Sequence, residues 1–456
     1  MDDEQAIVRA LPKWLPKLAR AVDGPADTVV ANLVNDRFKT DEGEQRPRRD
    51  LLPAVLQAIG RNGELEPSVK TFLDAGVELD DVITEYHPAI EHAQEFFDDN
   101  GVAIIAALFH ASLPEAYLGK RGVQVLDITG ELFRNWTRRV QETGQFLMNV
   151  LSPTPDLWQR GRTSLSAGEF GARAARRVRL IHAAIRWMLN DEEPRHSGSL
   201  VAASRPPGST VWNGRMIDIG LEHKPCAPLN QEDLLATLGT FTTVVFEALD
   251  RLGVPSTDTD RDAFYLLWNV VGWHLGIGDA SSLAAAGIAA PEKWKDNALL
   301  PITTKKMDVL YRGADGYPGL ARRLQEGSDQ GRRMTKALLQ ELAYPLPQAM
   351  QGFPAFLTRY FVGDKADGLG VEKGGYVELL LSGTSILDHL ARDARSRPVR
   401  RLTIHLVTEL VTRYALRAFV AQARWSERGL MIDKRIAAKW GVQVPPDSAS
   451  MGGPRT

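Results

Sequence analysis

The chain has 456 residues, with 55 basic and 57 acidic side chains and a formal net charge of −2 at pH 7. Such a balanced charge excludes the global electrostatic field that recruits nucleic acid or an anionic membrane surface. A single cysteine, Cys226, excludes an intramolecular disulfide and a cysteine-cluster metal site. We therefore expect a neutral or small-molecule substrate and no nucleic-acid partner.

The first residues, Met1-Asp2-Asp3-Glu4-Gln5, are acidic and lack the basic start of an export signal. A cytoplasmic location is the expectation. The most apolar stretch, from Val102 to Leu113, is interrupted by His110 and Ser112 and is too short to cross a bilayer. We expect no membrane span.

Apolar residues recur at three- and four-residue spacing along most of the chain, which predicts an all-α fold in one large helical domain. Asn230, followed by acids at 232 and 233, is typical of a helix N-cap. The predicted elements, in chain order, are helices near 102–111 and 128–151, a loop over 160–171, the helix carrying His182 and ending near 190, a short hairpin at 211–219, and helices over 230–252, 260–277, 335–343, 353–361 and 401–424.

Arg139, Glu142 and Thr143 lie on one face of the predicted 128–151 helix, because three- and four-residue steps bring side chains together. One interpretation is a solvent-facing ion pair between Arg139 and Glu142 or Thr143. The other is a set of polar groups that project into a pocket, which the apolar residues continuing that face, Phe146 and Val150, favour.

His182 is a lone imidazole among apolar neighbours in a basic helix, with no second histidine or cysteine nearby. The pattern fits a hydrogen-bonded core histidine or an axial haem ligand. We expect Arg176, Arg177 and Arg179 to form the solvated face of this helix. The five-residue spacing of His87 and His92 does not suit zinc, which prefers two histidines four apart on a helix.

Five segments in a characteristic order resemble the latex clearing proteins, which are haem-dependent rubber oxygenases, and the broader family that includes the fungal oxygenase of mycophenolic acid biosynthesis. The resemblance extends from about residue 60 to about residue 370. The segments are Ser112-Leu113-Pro114-Glu115-Ala116-Tyr117, Arg139-x-x-Glu142-Thr143, Val178 to Arg186, Leu229 to Leu234, and Leu267-Trp268-x-x-Val271-Gly272-x-x-Leu275-Gly276.

The resemblance implies a globin-like core that holds haem b, with His182 as the proximal iron ligand and the opposite face open for dioxygen. It places Arg139 and Thr143 in the distal pocket, where they would hydrogen-bond oxygen or substrate. Arg186, one turn beyond His182, is expected to reach a haem propionate. Glu232 recurs among the family features, although its position favours a helix cap over a catalytic carboxylate.

Glu142 departs from the family, because the rubber-cleaving members carry a lysine at this place. A carboxylate buried near iron would act as a general base or a weak ligand. Rubber itself is therefore not the expected substrate. We expect a hydrophobic unsaturated small molecule, such as an isoprenoid, a lipid or a polyketide side chain. The alternatives are a non-catalytic lipid- or partner-binding protein of the same fold and a haem hydroxylase or peroxidase-like enzyme.

The expected organisation follows the resemblance. Residues 1–59 are predicted to form an N-terminal extension, residues 60–375 the oxygenase-like catalytic domain, residues 376–444 C-terminal helices packed on the core, and residues 445–456 a disordered tail.

Overall fold

The structure, a computed structural model, describes residues 14, 16–37, 48–60, 65–133, 136–189, 209–212, 215–218, 227–289, 304–314, 319–324, 327–372, 397–422 and 432–442. Within these ranges no helix is both long and apolar enough to cross a bilayer. The predicted tail at 445–456 lies outside the described residues, as does the beginning of the predicted C-terminal segment.

The fold is all-α, as the sequence predicts, apart from one hairpin. In the described part of the chain, the regular structure also includes a π-helical turn, Leu108–Ser112, and the short 3₁₀ turns Val77–Leu79 and Gln348–Met350. The α-helices are α1 Gly24–Arg37, α2 Arg48–Gly60, α3 Pro67–Asp74, α4 Asp80–Glu85, α5 His87–Ala107, α6 Leu113–Ala116, α7 Lys120–Phe133, α8 Trp136–Leu151, α9 Pro155–Trp158, α10 Phe170–Leu189, α11 Gln231–Phe241, α12 Thr243–Leu252, α13 Asp258–His274, α14 Ala280–Ala285, α15 Thr304–Arg312, α16 Gly319–Leu324, α17 Asp329–Ala343, α18 Phe353–Val362, α19 Lys365–Gly368, α20 Arg397–Gln422 and α21 Lys434–Lys439.

The hairpin confirms the short strand pair expected near residues 211–219. Strand β1, Ser209–Trp212, pairs antiparallel with β2, Arg215–Asp218, and Val211 lies opposite Met216. Two strands alone do not form a layer of the fold.

Local capping explains where the middle helices begin and break. The Asn230 side chain accepts a hydrogen bond from the Asp233 amide, which confirms the predicted N-cap of α11. Thr257 and Asp260 form a reciprocal capping box, so α13 begins two residues before the predicted Asp260. The single helix predicted from 230 to 252 is wrong, because Thr242 leaves helical geometry and its hydroxyl bonds back to the Leu238 carbonyl.

Helix α5 is about twice as long as predicted. It begins at His87 rather than near Val102, because Pro88 occupies the first turn, where its missing amide hydrogen costs no hydrogen bond. The helix ends in the π-helical turn, in which the Leu113 amide bonds to the Leu108 carbonyl. One extra residue is thereby accommodated before α6.

Two apolar clusters form the core. The larger one surrounds α5 and α13, which pack along each other. The smaller one joins α1 and α2 to α10, through residues such as Val30, Leu52 and Leu180. The segment predicted as an N-terminal extension therefore supports the His182 helix directly. The domain boundaries themselves stay predictions.

Candidate active site

His182 is partly buried and lies on helix α10, where the sequence predicts a helix. Its Nδ1 atom is closed off from solvent, and no described residue hydrogen-bonds it. Burial, together with the nearby Arg186 cation, lowers the pKa of His182 to about 3. The imidazole is therefore neutral at physiological pH, with a lone pair available for a metal.

One face of α10 retains exposed surface although the helix is surrounded by protein. Its members are Ala174, Arg177, Val178, Ile181 and His182, each partly exposed. At about 100° per residue these five span roughly 140° of the helix, with Arg177 and His182 at its two edges. The rest of α10 packs against α1, α2 and α13. This partly exposed face, called the open face below, is where a ligand can lie.

Helix α8 runs antiparallel to α10 and packs against it. A side chain at Gly171 would place its Cβ 2.7 Å from the Asn149 carbonyl oxygen, so the two helices meet closely at this end. At 1.5 Å per residue, Arg139 lies about 15 Å and His182 about 16 Å from this contact. Arg139 and His182 therefore lie at similar distances along their own helices from this contact.

Thr143 lies about one turn before Phe146 and therefore on the same side of α8. Phe146, about one turn later, packs against Trp268 of α13, with ring centroids 6.4 Å apart. Helix α13 in turn packs on α10. Trp268 is almost fully buried, and its Nε1 donor has no hydrogen-bond partner among the described residues. Thr143, Trp268 and His182 thus come from three helices that pack around one region.

The other two members of the predicted group on α8 differ from Thr143. Glu142 is exposed, so it is not the buried carboxylate that would act as a general base or a weak iron ligand. Arg139 occupies α8, and its side chain lies outside the described part of the structure. The roles predicted for both residues stay predictions.

Ion pairs hold α10 in position, and they correct the expected solvated face. Arg176 and Arg179 are buried, at 5% and 4% exposure. Arg179 donates to Asp23 over 2.7 Å and to Asp279 over 3.2 Å. Burial alone would lower the pKa of Arg179, but the hydrogen bonds and charges of both acids raise it. The pattern of charges could not reveal these partners because they lie far away in sequence.

Arg186 lies next to the open face, on the side towards α1. Its Nε and Nη2 atoms donate to Asp27 Oδ1 over 2.9 and 2.8 Å, and Nη1 donates to the Leu229 carbonyl over 3.2 Å. These bonds engage all three nitrogens of the guanidinium. The predicted contact of Arg186 with a haem propionate stays a prediction, and the structure gives this side chain protein partners instead.

Arg177 differs from Arg186 in its hydrogen bonding. Its Nε atom is closed off from solvent, and no described residue accepts a hydrogen bond from it. Burial and the neighbouring Arg173 lower its pKa. Arg173 itself is paired with Asp74 at 2.8 Å. A guanidinium that is partly desolvated without an acid favours an anionic ligand, a signal that the sequence alone did not show.

The other candidate groups are engaged with protein partners. His274 Nε2 lies 2.9 Å from the Leu165 carbonyl oxygen, and His92 pairs with Asp260 at 2.8 Å. Among the described side chains, no three of His, Cys, Asp and Glu are arranged to hold a metal ion. Glu232 is fully buried and accepts a hydrogen bond from Arg121 at 3.0 Å, which supports a structural role beside the helix cap.

A second polar cluster surrounds Glu115, in the Ser112 to Tyr117 segment. Its carboxylate accepts from Arg312 at 2.6 Å, from Lys365 at 2.7 Å and from the Tyr311 hydroxyl at 3.1 Å. Burial would raise the pKa of Glu115, but the two cations hold it below its usual value. The carboxylate is therefore ionised and fully paired, which fits a stabilising role.

Comparison with known proteins identifies the family. The sequence model described as "ER-bound oxygenase mpaB/B'/Rubber oxygenase, catalytic domain" matches residues 96–449, which is most of the chain. The chain belongs to this oxygenase family. Members of the mpaB/rubber oxygenase family share a catalytic domain, and the match includes α8, α10 and α13, the helices that surround His182.

The other comparisons add little to the family match. No curated protein matches the sequence. One solved structure, "Structure of Latex Clearing Protein LCP in the closed state", is similar over 87% of this chain and 91% of that chain, with 16% sequence identity and a TM-score of 0.49. Assignment to the mpaB/rubber oxygenase family therefore rests on the sequence match.

Proposed function

We propose that the protein is a haem b-dependent oxygenase that uses dioxygen to oxidise or cleave a hydrophobic unsaturated small molecule. The substrate class is an isoprenoid, a lipid or a polyketide side chain, and the rubber polymer is not included. His182 carries the proposal. It is neutral, its buried Nδ1 lacks a partner, and it borders the open face of α10 in a chain of an oxygenase family.

The residues around His182 fit a haem group. A neutral imidazole is the form that ligates iron. The aliphatic side chains of Val178 and Ile181 on the open face would pack on a flat apolar ring. When bound, haem supplies the iron at which dioxygen is activated.

The protein's own contribution is to position polar groups in a region with little water. His182 would hold the cofactor. Thr143 on α8 would offer a hydroxyl as a hydrogen-bond donor, and Arg139, one turn earlier on the same helix, is proposed to act with it. Placed donors stabilise developing negative charge more strongly where water is excluded. Glu142 receives no part as a buried base, since it is exposed.

An absorption spectrum tests the proposal. Protein purified from haem-replete cells is measured in the ferric state, after dithionite reduction, and with carbon monoxide. We expect a Soret band that shifts on reduction and shifts again with carbon monoxide, because ferrous haem with a free coordination position binds carbon monoxide. Absence of a Soret band, even after hemin is added, would contradict the proposal.

Thr143→Val tests the hydroxyl without changing the volume of the side chain. We expect the variant to keep its Soret band while its dithionite-reduced form reoxidises in air about tenfold faster, since one stabilising hydrogen bond is worth about 1.4 kcal/mol at most. Thr143→Ser, which keeps the hydroxyl, is the matched control and should reoxidise like the wild type. Equal rates in all three proteins would exclude Thr143 from the oxygen pocket.

Arg177 is proposed to pair with a carboxylate of the cofactor, because its buried Nε donates to none of the described residues. Arg177→Met should weaken hemin binding about 10- to 100-fold, the effect of losing a hydrogen bond to a charged group. The same variant should bind hemin dimethyl ester as well as the wild type does, since the ester has no carboxylate. The control is Arg173→Met, because Arg173 is already paired with Asp74. Equal losses for hemin and its ester would rule the pairing out.

A further inference from the structure

A run of aromatic rings extends through the core beside the candidate active site. Helix α13 carries three of them, Phe264, Tyr265 and Trp268. Phe246 on α12 stacks on Tyr265 with ring centroids 5.7 Å apart, and it meets Phe264 edge to face at 5.4 Å. The Phe264 ring lies 6.4 Å from Trp268, and the Trp268 ring lies 6.4 Å from Phe146 on α8. The rings therefore lead from α8 to Tyr265.

Trp268 and Tyr265 are the members of this run that can be oxidised. Indole and phenol rings give up one electron far more readily than the phenyl ring of phenylalanine does. The two side chains are three residues apart on α13, a spacing that makes them neighbours on the helix, with Cβ atoms about 5–6 Å apart. Each residue is 1% exposed, so dissolved reductants do not touch either ring. An electron that fills a vacancy on Trp268 therefore comes from inside the protein, and Tyr265 is the neighbour that can supply it.

The indole of Trp268 has no place to send a proton. Its Nε1 atom is closed off from solvent, and no described residue accepts a hydrogen bond from it. An indole ring that loses an electron normally loses its N–H proton next, which makes the resulting radical a weaker oxidant. Trp268 keeps this proton, so its oxidised ring stays a cation that withdraws an electron from a neighbouring phenol.

Tyr265 has the proton acceptor that Trp268 lacks. Its hydroxyl donates to Asp308 Oδ1 over 2.8 Å, and the Thr243 hydroxyl donates to the same oxygen over 2.7 Å. Burial, together with the Asp308 charge, raises the pKa of Tyr265 well above its ordinary value, so the phenol keeps its proton at neutral pH. Asp308 is half-buried, so a proton that it accepts can pass on to solvent. Loss of an electron from Tyr265 is therefore coupled to transfer of its proton to a carboxylate.

We propose that Trp268 and Tyr265 form a one-electron relay that carries oxidising equivalents away from the candidate active site. A peroxide-derived one-electron oxidant takes an electron from the Trp268 indole. The Tyr265 phenol replaces that electron, its O–H bond breaks, and the proton passes to Asp308 Oδ1, which leaves Tyr265 a neutral phenoxyl radical. One electron thus reaches the oxidant and one proton reaches the carboxylate. The relay rests on the proposed function only for the source of the oxidant.

Flash photolysis of the purified protein tests the relay whether or not haem is bound. An ultraviolet flash ejects electrons from indole rings, and a cobalt(III) ammine complex in solution takes each electron and becomes cobalt(II). We expect a phenoxyl radical to form as the indole radical decays, measured by transient absorption and by electron paramagnetic resonance. Tyr265→Phe and Trp268→Phe should each lose the same part of the phenoxyl signal. The double variant should lose no more, because the two residues act in series.

Two further variants test the proton step and the specificity of the pair. Asp308→Asn keeps the size of the acceptor and removes its charge, and it serves if Trp268→Phe does not fold. Its phenoxyl radical should form at least about tenfold more slowly, the effect of losing a hydrogen bond to a charged group. Tyr311→Phe is the matched control and should keep the wild-type signal. Tyr311 is also 1% exposed and donates to a carboxylate, that of Glu115, at 3.1 Å, but no tryptophan lies within one turn of it on α15.

Four results would overturn the inference: no phenoxyl signal in the wild type, a signal unchanged in Tyr265→Phe, additive losses in the double variant, or formation at the wild-type rate in Asp308→Asn. The absorption spectrum separates this inference from the proposed function. Equal losses in the two single variants without any Soret band leave the relay and remove the oxygenase. A Soret band with a phenoxyl signal unchanged in Tyr265→Phe removes the relay alone.

Discussion

His182→Gly is expected to eliminate the Soret band of the purified protein, and imidazole added to the buffer is expected to restore it. The substitution removes the proposed iron ligand and leaves space for one free imidazole. Retention of haem should fall by at least about 100-fold, because metal-ligand binding energy is lost with the nitrogen. Hemin titration with and without imidazole, followed by absorption, measures both effects.

His274 provides a matched control for this experiment. It is fully buried whereas His182 is partly exposed, burial and Arg176 lower its pKa to about 3, and its Nδ1, like that of His182, has no partner among the described residues. Its Nε2, however, lies 2.9 Å from the Leu165 carbonyl oxygen, so it already has a structural role. His274→Gln should keep the Soret band. A full Soret band in His182→Gly without imidazole would show that His182 is not the ligand.

Asp23→Ala is expected to destabilise the protein by about 3–5 kcal/mol, because it leaves the Arg179 cation buried without its main partner. Asp23 is 1% exposed and Arg179 4% exposed, and their hydrogen bond is 2.7 Å long. Asp279 still contacts Arg179 at 3.2 Å, which places the expected loss at the lower end of that range. Differential scanning calorimetry measures the loss as a lower melting temperature.

Two further variants identify the cause of that destabilisation. Asp74→Ala removes the partner of Arg173, a pair that is partly exposed, and should cost less than about 1 kcal/mol. The double variant Asp23→Ala with Arg179→Met should recover most of the loss, since no unpaired charge then remains buried. A double variant that is less stable than Asp23→Ala would argue that the pair is stabilising in itself. The pair matters for function because Arg179 lies one turn before His182.

The fold class and several helix ends were predictable from local patterns. Apolar spacing predicted the helices, and the capping chemistry of Asn230 located the start of α11. The errors also have local causes. Pro88 was not recognised as a residue of the first turn of α5, and Thr242 breaks a continuous apolar pattern through its own hydroxyl. Propensity does not show such breaks, since they depend on one side chain bonding to the backbone.

The candidate site was predictable only in part. His182 was identified by its isolation among apolar residues, and Thr143 by its spacing on α8. Which arginine lacks a partner was not predictable. Arg186, expected to meet the cofactor, is occupied by Asp27, whereas Arg177, expected in solvent, has a buried and unpartnered Nε. Asp27 is 159 residues from Arg186, so no local pattern connects them.

The sequence by itself determined the all-α class, the helix that carries His182 and the family to which the chain belongs, because periodicity and short motifs are properties of neighbouring residues. Only the tertiary structure decided which charges are buried and paired and which face of α10 stays open. Those features depend on contacts between distant segments. The Arg179 to Asp23 pair, for example, spans 156 residues.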